Sequence, residues 1–433
     1  CVTRRQRQMC IRDRNMPFIN HSLVSEIRER FCNVDKCPIS GERIFFENAG
    51  GALTLRSALE TSTKFAAIPD NQGRDNLTSH TLNNTIKNAK SDLRILFNAQ
   101  SGEFFMGESG TELLFRLIRN AVTASPPGGS IVGTSLEHPA SRSAAKKWSG
   151  EMKYTYVSVP HDIKKGIVEA ENYADKISET TRVVTIVHAS PVTGMGTKIS
   201  EISKIVRKKA PSAFIIVDGI QHAAHGGIDV ESYDIDGYVI SPYKMFSRHG
   251  FGIAWVSDRL RNSPHEKLDD GPSDNWELGT RDTGAYATMS DVKEYMCWLG
   301  KEFTTEEDSR AQIEAAGAAI QDYEKKMTDA ILYGVDNLKG LTDFEEVEII
   351  GGANNPSREG LVSFRIKECP SEEIVRYLNR QGIRTHTRKC DHYSGNILAP
   401  LGWDDCVRVS ICHYNTQNEV KKFLSSMAAF ADK

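Results

Sequence analysis

Asp218 and Lys244, two residues of opposite charge, each follow a short apolar run of the sequence. Asp218 ends "AFIIVD", and Lys244 comes directly after "GYVISPY". Such runs, rich in β-branched residues, are typical of buried strands. A carboxylate at the end of a buried strand is costly without a cationic partner, whereas a partly desolvated lysine loses its proton readily and can form a Schiff base. Together the two residues predict a site at the carboxyl ends of strands.

Pyridoxal phosphate is the cofactor that would use both residues. Its aldehyde forms a Schiff base with a lysine, and its ring nitrogen needs a carboxylate that keeps it protonated. Gln221, close after Asp218 in the chain, is placed to reach the phenolic oxygen of the ring. Alone, Asp218 would be a loop cap and Lys244 a surface lysine, so the prediction depends on the two residues together.

A glycine-rich turn precedes the helical pattern "ELLFRLIRNAV". Its small and hydroxyl residues are Gly107, Ser109, Gly110 and Thr111. Free backbone amides at the positive end of a helix suit a phosphate. Ser241 and Tyr243, beside Lys244, can donate hydrogen bonds to the same group. We therefore expect the cofactor phosphate at this turn.

From about Gly41 to Ser257 the sequence alternates between short β-rich runs and helical stretches. This alternation predicts an α/β fold with a mostly parallel, doubly wound sheet whose helices cover both faces. The rest of the chain reads as two long helical stretches and then a smaller α+β unit. We expect a cofactor-binding large domain over 41–290, a small C-terminal domain over 291–433, and an N-terminal segment over 16–40 that packs on the small domain.

Composition limits the class of protein. The chain has 433 residues, of which 39% are hydrophobic, and its formal net charge is -3. It is long enough to bury a large core, and no apolar run is long enough to cross a bilayer. The small net charge gives no reason to propose a nucleic-acid partner. The cysteines show no CxxC pair, which is typical of a reducing cytoplasm rather than of a disulfide framework.

The first stretch, residues 1–15, is rich in arginine and lacks apolar periodicity. It resembles translated linker sequence and has no apolar core of the kind that a secretory signal needs. We therefore expect a non-native leader, with the native start at Met16.

The segment "VDGIQ…ISPYKMFSRHGFG" resembles the class V aminotransferase and cysteine desulfurase family, whose members are pyridoxal-phosphate enzymes of fold type I. The resemblance extends from about Arg43 to the end of the chain. It implies the fold type I architecture, with a large and a small domain. It also implies an enzyme that acts on a small α-amino acid through a Schiff base at Lys244.

The same resemblance implies roles for residues elsewhere in the chain. His138, in "SLEHPASRSAAKKW", would stack on the cofactor ring and take part in catalysis. Arg408, in "CVRVSICHYNT", would bind the carboxylate of the substrate. The loop "FFENAGGAL" would bring Asn48 and Ala49 near the substrate.

The loop "NWELGTRDTG" resembles the family segment that reaches the cofactor phosphate of a neighbouring subunit. This implies a homodimer in which Gly279 and Thr280 contribute to the partner's cofactor site. The other partners implied are the amino-acid substrate and, for a desulfurase, a sulfur acceptor protein. We expect neither a nucleic acid nor a membrane as a partner.

Two positions depart from the family pattern. Pro191, in "VHASPVTGMG", stands where many relatives have an asparagine near the cofactor, and Tyr243 replaces a histidine often found before the lysine. Proline has no backbone donor and no side-chain amide. The hydrogen bond must then come from Ser190, His188 or Thr193, or it is absent. The reaction type is therefore left open by this loop.

Cys390, in "RTHTRKC", lies in the region where desulfurases of the family carry the cysteine that attacks the sulfur of the substrate. Arg388 and Lys389 precede it, and neighbouring cations favour the reactive thiolate. If Cys390 has that role, the reaction is removal of sulfur from cysteine, giving alanine. Relatives without such a cysteine leave another class V reaction, transamination or epimerisation, as the alternative. A cofactor-binding partner protein without turnover is a further, less favoured one.

His222 and His225, in "HAAH", have a spacing that can bind a metal on a helix. Two histidines alone are a weak signal, so we predict no metal site. We expect a cytoplasmic enzyme that uses pyridoxal phosphate.

Overall fold

The described chain, residues 19–431 of a computed structural model, begins with a capped helix and three short strands. Helix α1 (His21–Glu29) begins after Asn20, whose side chain accepts a hydrogen bond from the amide of Leu23 at 3.0 Å. The strands are β1 (Lys36–Cys37), β2 (Gly41–Glu42) and β3 (Ile44–Phe45). The predicted leader, residues 1–15, lies outside the described residues.

A seven-stranded sheet forms the centre of the fold, and its strands are the β-rich runs of the sequence. They are β4 (Glu103–Gly107), β5 (Ser130–Thr134), β6 (Thr155–Val159), β7 (Thr181–Val187), β8 (Phe214–Asp218), β9 (Gly237–Ile240) and β10 (Gly252–Val256). The order in the sheet is β4-β10-β9-β8-β7-β5-β6. Neighbouring strands run parallel except at β10, which is antiparallel to both β4 and β9. The prediction of a mostly parallel sheet is confirmed.

Both faces of this sheet are buried. Ile215 and Val217 of β8 belong to one hydrophobic cluster, and Ile216, between them, belongs to another. Successive residues of a strand point to opposite faces, so the two clusters are the two sides of a doubly wound sheet. The helices of this unit are α2 (Arg56–Ala66), α3 (Leu77–Phe97), α4 (Gly110–Thr123), α5 (Pro139–Glu151), α6 (Ala170–Ala174), α7 (Ile199–Lys209), α8 (Val230–Tyr233), α9 (Asp258–Arg261) and α10 (Thr283–Gly300).

The C-terminal unit is built on a four-stranded antiparallel sheet of order β11-β12-β15-β14. The strands of this unit are β11 (Val347–Ile349), β12 (Leu361–Ile366), β13 (Ile383–Arg384), β14 (His386–Lys389) and β15 (Asp405–Ser410). Its helices are α11 (Ser309–Tyr333), α12 (Ser371–Arg380), α13 (Gly395–Leu401) and α14 (Gln417–Ala431). Strand β13 pairs in parallel with β3, so the segment that contains β3 is joined to this unit by backbone hydrogen bonds.

The N-terminal segment contacts both units. The ring of Phe31 lies 5.5 Å from that of Phe246 and 4.7 Å from that of Tyr414. Nη1 of Arg28 donates to the carbonyl of Tyr414 over 2.6 Å. The domain boundaries expected from the sequence stay predictions. Within residues 19–431, no helix combines the length and the apolar character needed to span a membrane.

Candidate active site

The carboxyl ends of β8 and β9 meet at one cavity. Asp218 is the last residue of β8, and Lys244 ends the short 3-10 turn Pro242–Lys244 that follows β9. The two strands are parallel neighbours, so their carboxyl ends share one edge of the sheet. The cavity is lined by Thr111, His138, Val187, Ala189, Pro191, Asp218, Ile220, Gln221, Ser241, Tyr243 and Lys244. The structure therefore brings together most of the residues that the sequence assigned to a cofactor.

The amine of Lys244 lies inside this cavity beside Gln221. Its Nζ donates to Oε1 of Gln221 over 3.4 Å. Burial lowers the pKa of Lys244 to about 8; the charge of Arg408 acts in the same direction, and that of Asp218 opposes it. A lysine in this environment is partly neutral near neutral pH, so it can attack a carbonyl group or accept a proton.

The carboxyl group of Asp218 is buried, with only 4% of the residue exposed. Its Oδ1 accepts a hydrogen bond from the amide of Ile220 at 3.1 Å. Burial raises the pKa of Asp218 to about 6, although the Ile220 amide and the charge of Lys244 lower it in part. Within the described chain the carboxylate has no ion-pair partner, so a protonated ring nitrogen placed beside it would stabilise its charged form.

The turn before α4 and the turn after β9 approach each other closely at Gly110. A Cβ atom at Gly110 would lie 2.5 Å from Oγ of Ser241 and 2.6 Å from Cδ1 of Ile220. A side chain at this position would therefore have to displace these atoms. Thr111 and Ser241 line the cavity at this place, where α4 begins. Hydroxyl groups beside a helix N-terminus can bind a phosphate.

The loop that carries Asn48 and Ala49 packs over Tyr243. A Cβ atom at Gly51 would lie 3.2 Å from the Tyr243 ring, and burial raises the pKa of Tyr243, which keeps its hydroxyl a hydrogen-bond donor. The side-chain amide of Asn48 donates to the carbonyl of Ser410 over 2.9 Å, and the amide of Ala49 donates to Oγ of Ser410 over 2.8 Å. These contacts attach the loop to β15; a contact of Asn48 or Ala49 with substrate stays a prediction.

His138 caps α5 and also faces the cavity. Its Nδ1 accepts a hydrogen bond from the amide of Ala140 at 3.2 Å. Burial lowers the pKa of His138 to about 4, and the charges of Lys244 and Arg388 add to the decrease. The ring is therefore neutral and held in one orientation, which suits stacking on an aromatic cofactor.

Arg408 is buried on β15, at 3% exposure, and reaches the cavity through Pro191. Its Nη1 donates to the carbonyl of Pro191 over 3.0 Å, whereas its Nε is buried without a hydrogen-bond partner in the described chain. Burial lowers the pKa of Arg408 to about 10, with a contribution from Arg388. A Cβ atom at Gly50 would lie 3.7 Å from Nη2. The guanidinium is thus close to the loop at 48–51 and retains donor capacity for a ligand.

The polar residues around Pro191 already have hydrogen-bond partners. Oγ of Ser190 accepts from the amide of Thr193 at 3.1 Å, and Oγ1 of Thr193 accepts from the amide of Met195 at 3.2 Å. Nδ1 of His188 lies 2.7 Å from the hydroxyl of Tyr238. Each side chain proposed to replace the family's asparagine therefore already has a partner.

Gly279 and Thr280 do not line the cavity formed by this chain. Both are exposed, on a loop that follows the buried ring of Trp276. Arg281, the next residue, forms an ion pair with Glu108, just before α4. The loop is thus held near the turn before α4 while Gly279 and Thr280 face outward.

Cys390 lies in the turn after β14, where it is exposed. It is not among the residues that line the Lys244 cavity. The two cations before it point to opposite faces of the strand, as successive strand residues do. Lys389 pairs with Glu372 on α12, whereas Nε of Arg388 donates to Oγ of Ser394 over 2.8 Å. The sequence led us to expect that both cations act on Cys390, but the contacts of Lys389 and Arg388 are with Glu372 and Ser394.

The sequence indicated Arg388 only as a neighbour of Cys390 and His225 only through the "HAAH" spacing, and it gave no signal for Glu324. The charge of Arg388 contributes to the lowered pKa of Lys244. Nε2 of His225 lies 3.3 Å from Nε2 of Gln221, and Nδ1 of His225 lies 2.7 Å from Oε2 of Glu324. The strand alternation in "HTRK" was the available signal for Arg388, and the four-residue separation from Gln221 was the signal for His225.

His225 and Glu324 also belong to a group with Cys412 whose ligand atoms all lie within 4.8 Å of one another. The contact of 2.7 Å between His225 and Glu324 is a hydrogen-bond length. Two ligands of a tetrahedral zinc would stand roughly 3.3 Å apart, given metal–ligand distances of about 2.0 Å. The contact therefore describes a hydrogen-bonded pair, and the absence of a metal site stays a prediction.

Comparison with known proteins gives the family. The profile described as "Aminotransferase class-V" matches residues 44–279 and 311–423. A cysteine desulfurase of Haloferax volcanii is 28% identical over 320 residues, covering 70% of this chain and 68% of that protein. The cysteine desulfurase-like protein ustD of Aspergillus flavus is 27% identical, covering 90% and 87%.

A solved structure confirms the fold. The apo cysteine desulfurase of Thermococcus onnurineus NA1 superposes with a TM-score of 0.79 at 19% identity, covering 96% of this chain and 98% of that one. At this identity the likeness shows the fold type I architecture alone. The family profile, in contrast, covers most of the sequence, including the segments of Asp218, Lys244 and Arg408. The chain therefore belongs to the class V aminotransferase family, which depends on pyridoxal phosphate.

Proposed function

We propose that this chain binds pyridoxal phosphate at Lys244 and acts on a small α-amino acid, with removal of sulfur from cysteine, giving alanine, as its reaction. The observation that carries the proposal is the cavity in which Lys244, with its pKa lowered to about 8, lies beside Gln221 and near the buried carboxyl of Asp218. The names of its relatives, cysteine desulfurases among them, support the choice of reaction.

The residues of the cavity fit the cofactor. Lys244 would hold its aldehyde, the unpaired carboxyl of Asp218 its ring nitrogen, and Gln221 its phenolic oxygen. The neutral ring of His138 would cover one face. The phosphate would be held by the groups gathered at the start of α4 and after β9, Gly110, Thr111, Ser241 and Tyr243. Bound there, pyridoxal phosphate supplies an electron sink for negative charge that develops at the α-carbon of an amino acid.

The chain's own residues would then position the substrate and move its protons. Arg408 has free donor capacity and a planar fork that matches a carboxylate, so it would hold the α-carboxylate. Lys244, once released by the amine of the substrate, would take the proton from the α-carbon as a general base. Its pKa of about 8 suits both the uptake and the return of that proton.

A second candidate is another class V reaction, transamination or epimerisation, that needs no protein thiol. The position of Cys390 favours it, because this residue is exposed and does not line the cavity. For sulfur removal, the turn after β14 must bring Cys390 to the sulfur of the substrate. The homodimer, in which Gly279 and Thr280 reach the partner's site, and a sulfur acceptor protein are parts of the proposal as well.

The test has two stages. Purified protein is mixed with pyridoxal phosphate, and we expect a visible absorption band that the Lys244→Ala variant lacks. An amino-acid panel is then assayed for alanine and sulfide on one side and for 2-oxo acids on the other, with Cys390→Ala run in parallel. Without any band, the cofactor assignment fails. If Cys390→Ala forms sulfide from cysteine at the wild-type rate, Cys390 has no part in the reaction.

A further inference from the structure

Arg388 and Arg408 are neighbours on the same face of the C-terminal sheet. In the antiparallel pairing of β14 and β15, Arg408 lies opposite His386, and Arg388 lies opposite Cys406. Residues directly opposite each other share a face, and so do residues two apart on one strand. The two arginines are therefore diagonal neighbours, at a separation that long side chains can bridge.

This face is the one turned toward Lys244. Arg408 donates to the carbonyl of Pro191, which lines the cavity. Ser363, opposite Arg408 on β12, donates to the carbonyl of Val192 over 2.6 Å. The sheet thus docks on the loop after β7 through the same face that carries Arg388.

The charge of Arg388 acts on the cavity itself. It contributes to the lowered pKa of Lys244, of His138 and of Arg408. Burial lowers the pKa of Arg388 in turn. Arg388 thus shares with Arg408 the sheet face that docks beside the cavity.

Neither arginine has an acidic partner that satisfies it. In the described part of the chain, no carboxylate lies within ion-pair distance of Arg388 or Arg408. The nearby acids have other contacts: Oδ1 of Asp391 accepts the amide of Tyr393 at 2.8 Å, and Glu47 pairs with His386 at 3.3 Å.

Arg388 therefore keeps hydrogen-bonding capacity for a ligand. Its Nε donates to Oγ of Ser394 over 2.8 Å, which fixes the direction of the guanidinium and leaves its terminal nitrogens for another partner. Placing two cations side by side, one of them buried, costs folding free energy unless a ligand brings two negative groups. The cofactor phosphate does not meet this need, because its predicted place is at Gly110 and Ser241, at the start of α4, and not on the sheet face of Arg388 and Arg408.

We propose that Arg388 binds a second anionic group of the substrate, so that the preferred substrate is an α-amino acid with a short acidic side chain. Arg408 holds the α-carboxylate, and Arg388 holds a carboxylate or sulfinate on the side chain. The planar fork of arginine matches anions with two oxygens, which a thiolate does not offer. This assignment rests on the cofactor part of the proposed function, since it places the substrate by the cofactor at Lys244, and it names an acidic amino acid in place of cysteine as the preferred substrate.

The test measures binding without turnover. Calorimetric titration of the cofactor-loaded protein measures its affinity for succinate and for propionate. The two ligands differ in a single anionic group, because succinate has a second carboxylate. We expect succinate to bind roughly tenfold or more tightly than propionate, as a charge-assisted hydrogen-bonded contact provides. Arg388→Gln should remove this preference. Lys389→Gln is the matched control, because it removes the same charge from the next residue on the opposite face, and it should keep the preference.

Equal affinity for succinate and propionate in the wild-type protein, or a preference that persists in Arg388→Gln, would overturn the proposal. If Arg388→Gln does not fold, Arg388→Lys keeps the charge without the fork and should bind succinate with an intermediate preference. The visible absorption band of the same samples reports the proposed function separately. If the absorption band is present without a preference for succinate, only the role of Arg388 is contradicted. If the band is absent, the cofactor assignment is contradicted. Titration with aspartate, cysteinesulfinate and cysteine then compares the affinities for a carboxylate, a sulfinate and a thiol side chain.

Discussion

Nδ1 of His225 lies 2.7 Å from Oε2 of Glu324 in the interior of the protein, where the two residues are 3% and 1% exposed. Nε2 of the same ring lies 3.3 Å from the amide of Gln221, whose Oε1 accepts from Lys244 at 3.4 Å. When His225 is neutral and its Nδ1 donates to Glu324, Nε2 accepts from the Gln221 amide and Gln221 directs its oxygen toward Lys244; when the ring is protonated, Nε2 is a donor and the Gln221 amide must turn over. The buried pair thus fixes the side chain next to the lysine.

Glu324→Gln should lower the free energy of unfolding, by about 3 kcal/mol, because removal of one partner leaves a buried group uncompensated. Burial lowers the pKa of His225, but the charge and hydrogen bond of Glu324, together with the charge of Glu359, raise it, and the net pKa lies above its ordinary value of 6.5. Burial also raises the pKa of Glu324. The raised pKa of His225 means that the folded state binds its proton more tightly, so this contribution is complete below pH 6.5 and is lost as the pH rises through the folded pKa. The contribution of Glu324, whose ordinary pKa is 4.5, is complete only below pH 4.5.

Urea unfolding below and above pH 6.5 measures this effect. The cost of Glu324→Gln should be largest at the lower pH and shrink at the higher one. Glu314→Gln, on the same helix, removes an exposed acid that pairs with Arg310 at 2.9 Å, and it should cost about 0.5 kcal/mol or less. The prediction would be contradicted if Glu324→Gln lowers the free energy of unfolding equally at both pH values, or by no more than Glu314→Gln does.

Lys244 should react with pyridoxal phosphate at a rate that rises through pH 8. Its pKa is lowered to about 8, and only the neutral amine attacks an aldehyde. Stopped-flow growth of the visible band over a pH series measures this dependence. Lys147→Ala, which removes an exposed lysine that pairs with Glu151, should leave both the band and its pH dependence unchanged. A rate that increases only near the ordinary lysine value of 10.5 would show that the amine is not desolvated.

The sequence predicted the centre of this site because the relevant information is local. Asp218 and Lys244 each follow their own apolar strand, and parallel strands that are neighbours bring their carboxyl ends together. Gly110 and Ser241 were both expected at the phosphate, and the structure places them in contact. To predict these residues it is enough to locate the ends of two strands and the start of a helix, which the hydrophobic pattern and the turn residues indicate.

The positions of Arg388 and of the pair of His225 and Glu324 depend on pairing between distant parts of the chain. Arg388 and Lys389 look equivalent beside Cys390 in the sequence, but the register of β14 against β15 turns Arg388 toward Ser394 and Lys389 toward Glu372. Such register is set by long-range packing and cannot be read from a strand of four residues. Glu324 follows His225 by 99 residues, on a helix of the C-terminal unit, and no local pattern joins the two.

Gly110→Ala should weaken binding of pyridoxal phosphate roughly tenfold or more, because an added methyl group in a packed site costs about 1–3 kcal/mol. The new Cβ atom would lie 2.5 Å from Oγ of Ser241. Equilibrium titration of the visible band measures the affinity. Gly150→Ala is the matched control on α5, since a Cβ atom there meets nothing within 4 Å; it should leave the affinity unchanged and stabilise the helix by about 0.5–1 kcal/mol. Equal affinities for the two variants would remove Gly110 from the phosphate site.

Thr280 should act in the cofactor site of a second copy of the chain. It is exposed here, on a loop held by the ion pair of Arg281 with Glu108, so its hydroxyl is available to a neighbour. Thr280→Ala should weaken cofactor binding roughly tenfold, through loss of a hydrogen bond to a charged group.

Mixing variants identifies the subunit from which Thr280 comes. Lys244→Ala lacks the lysine of its own site, and Thr280→Ala lacks the hydroxyl that it lends. If Thr280 reaches the other subunit, a mixed dimer contains one site with Lys244 from one copy and Thr280 from the other. Co-refolding of the two variants should therefore restore tight binding in that one site of each mixed dimer, measured as the visible band at limiting pyridoxal phosphate. Without recovery, and with a monomer in analytical ultracentrifugation, Thr280 would be placed outside any shared site.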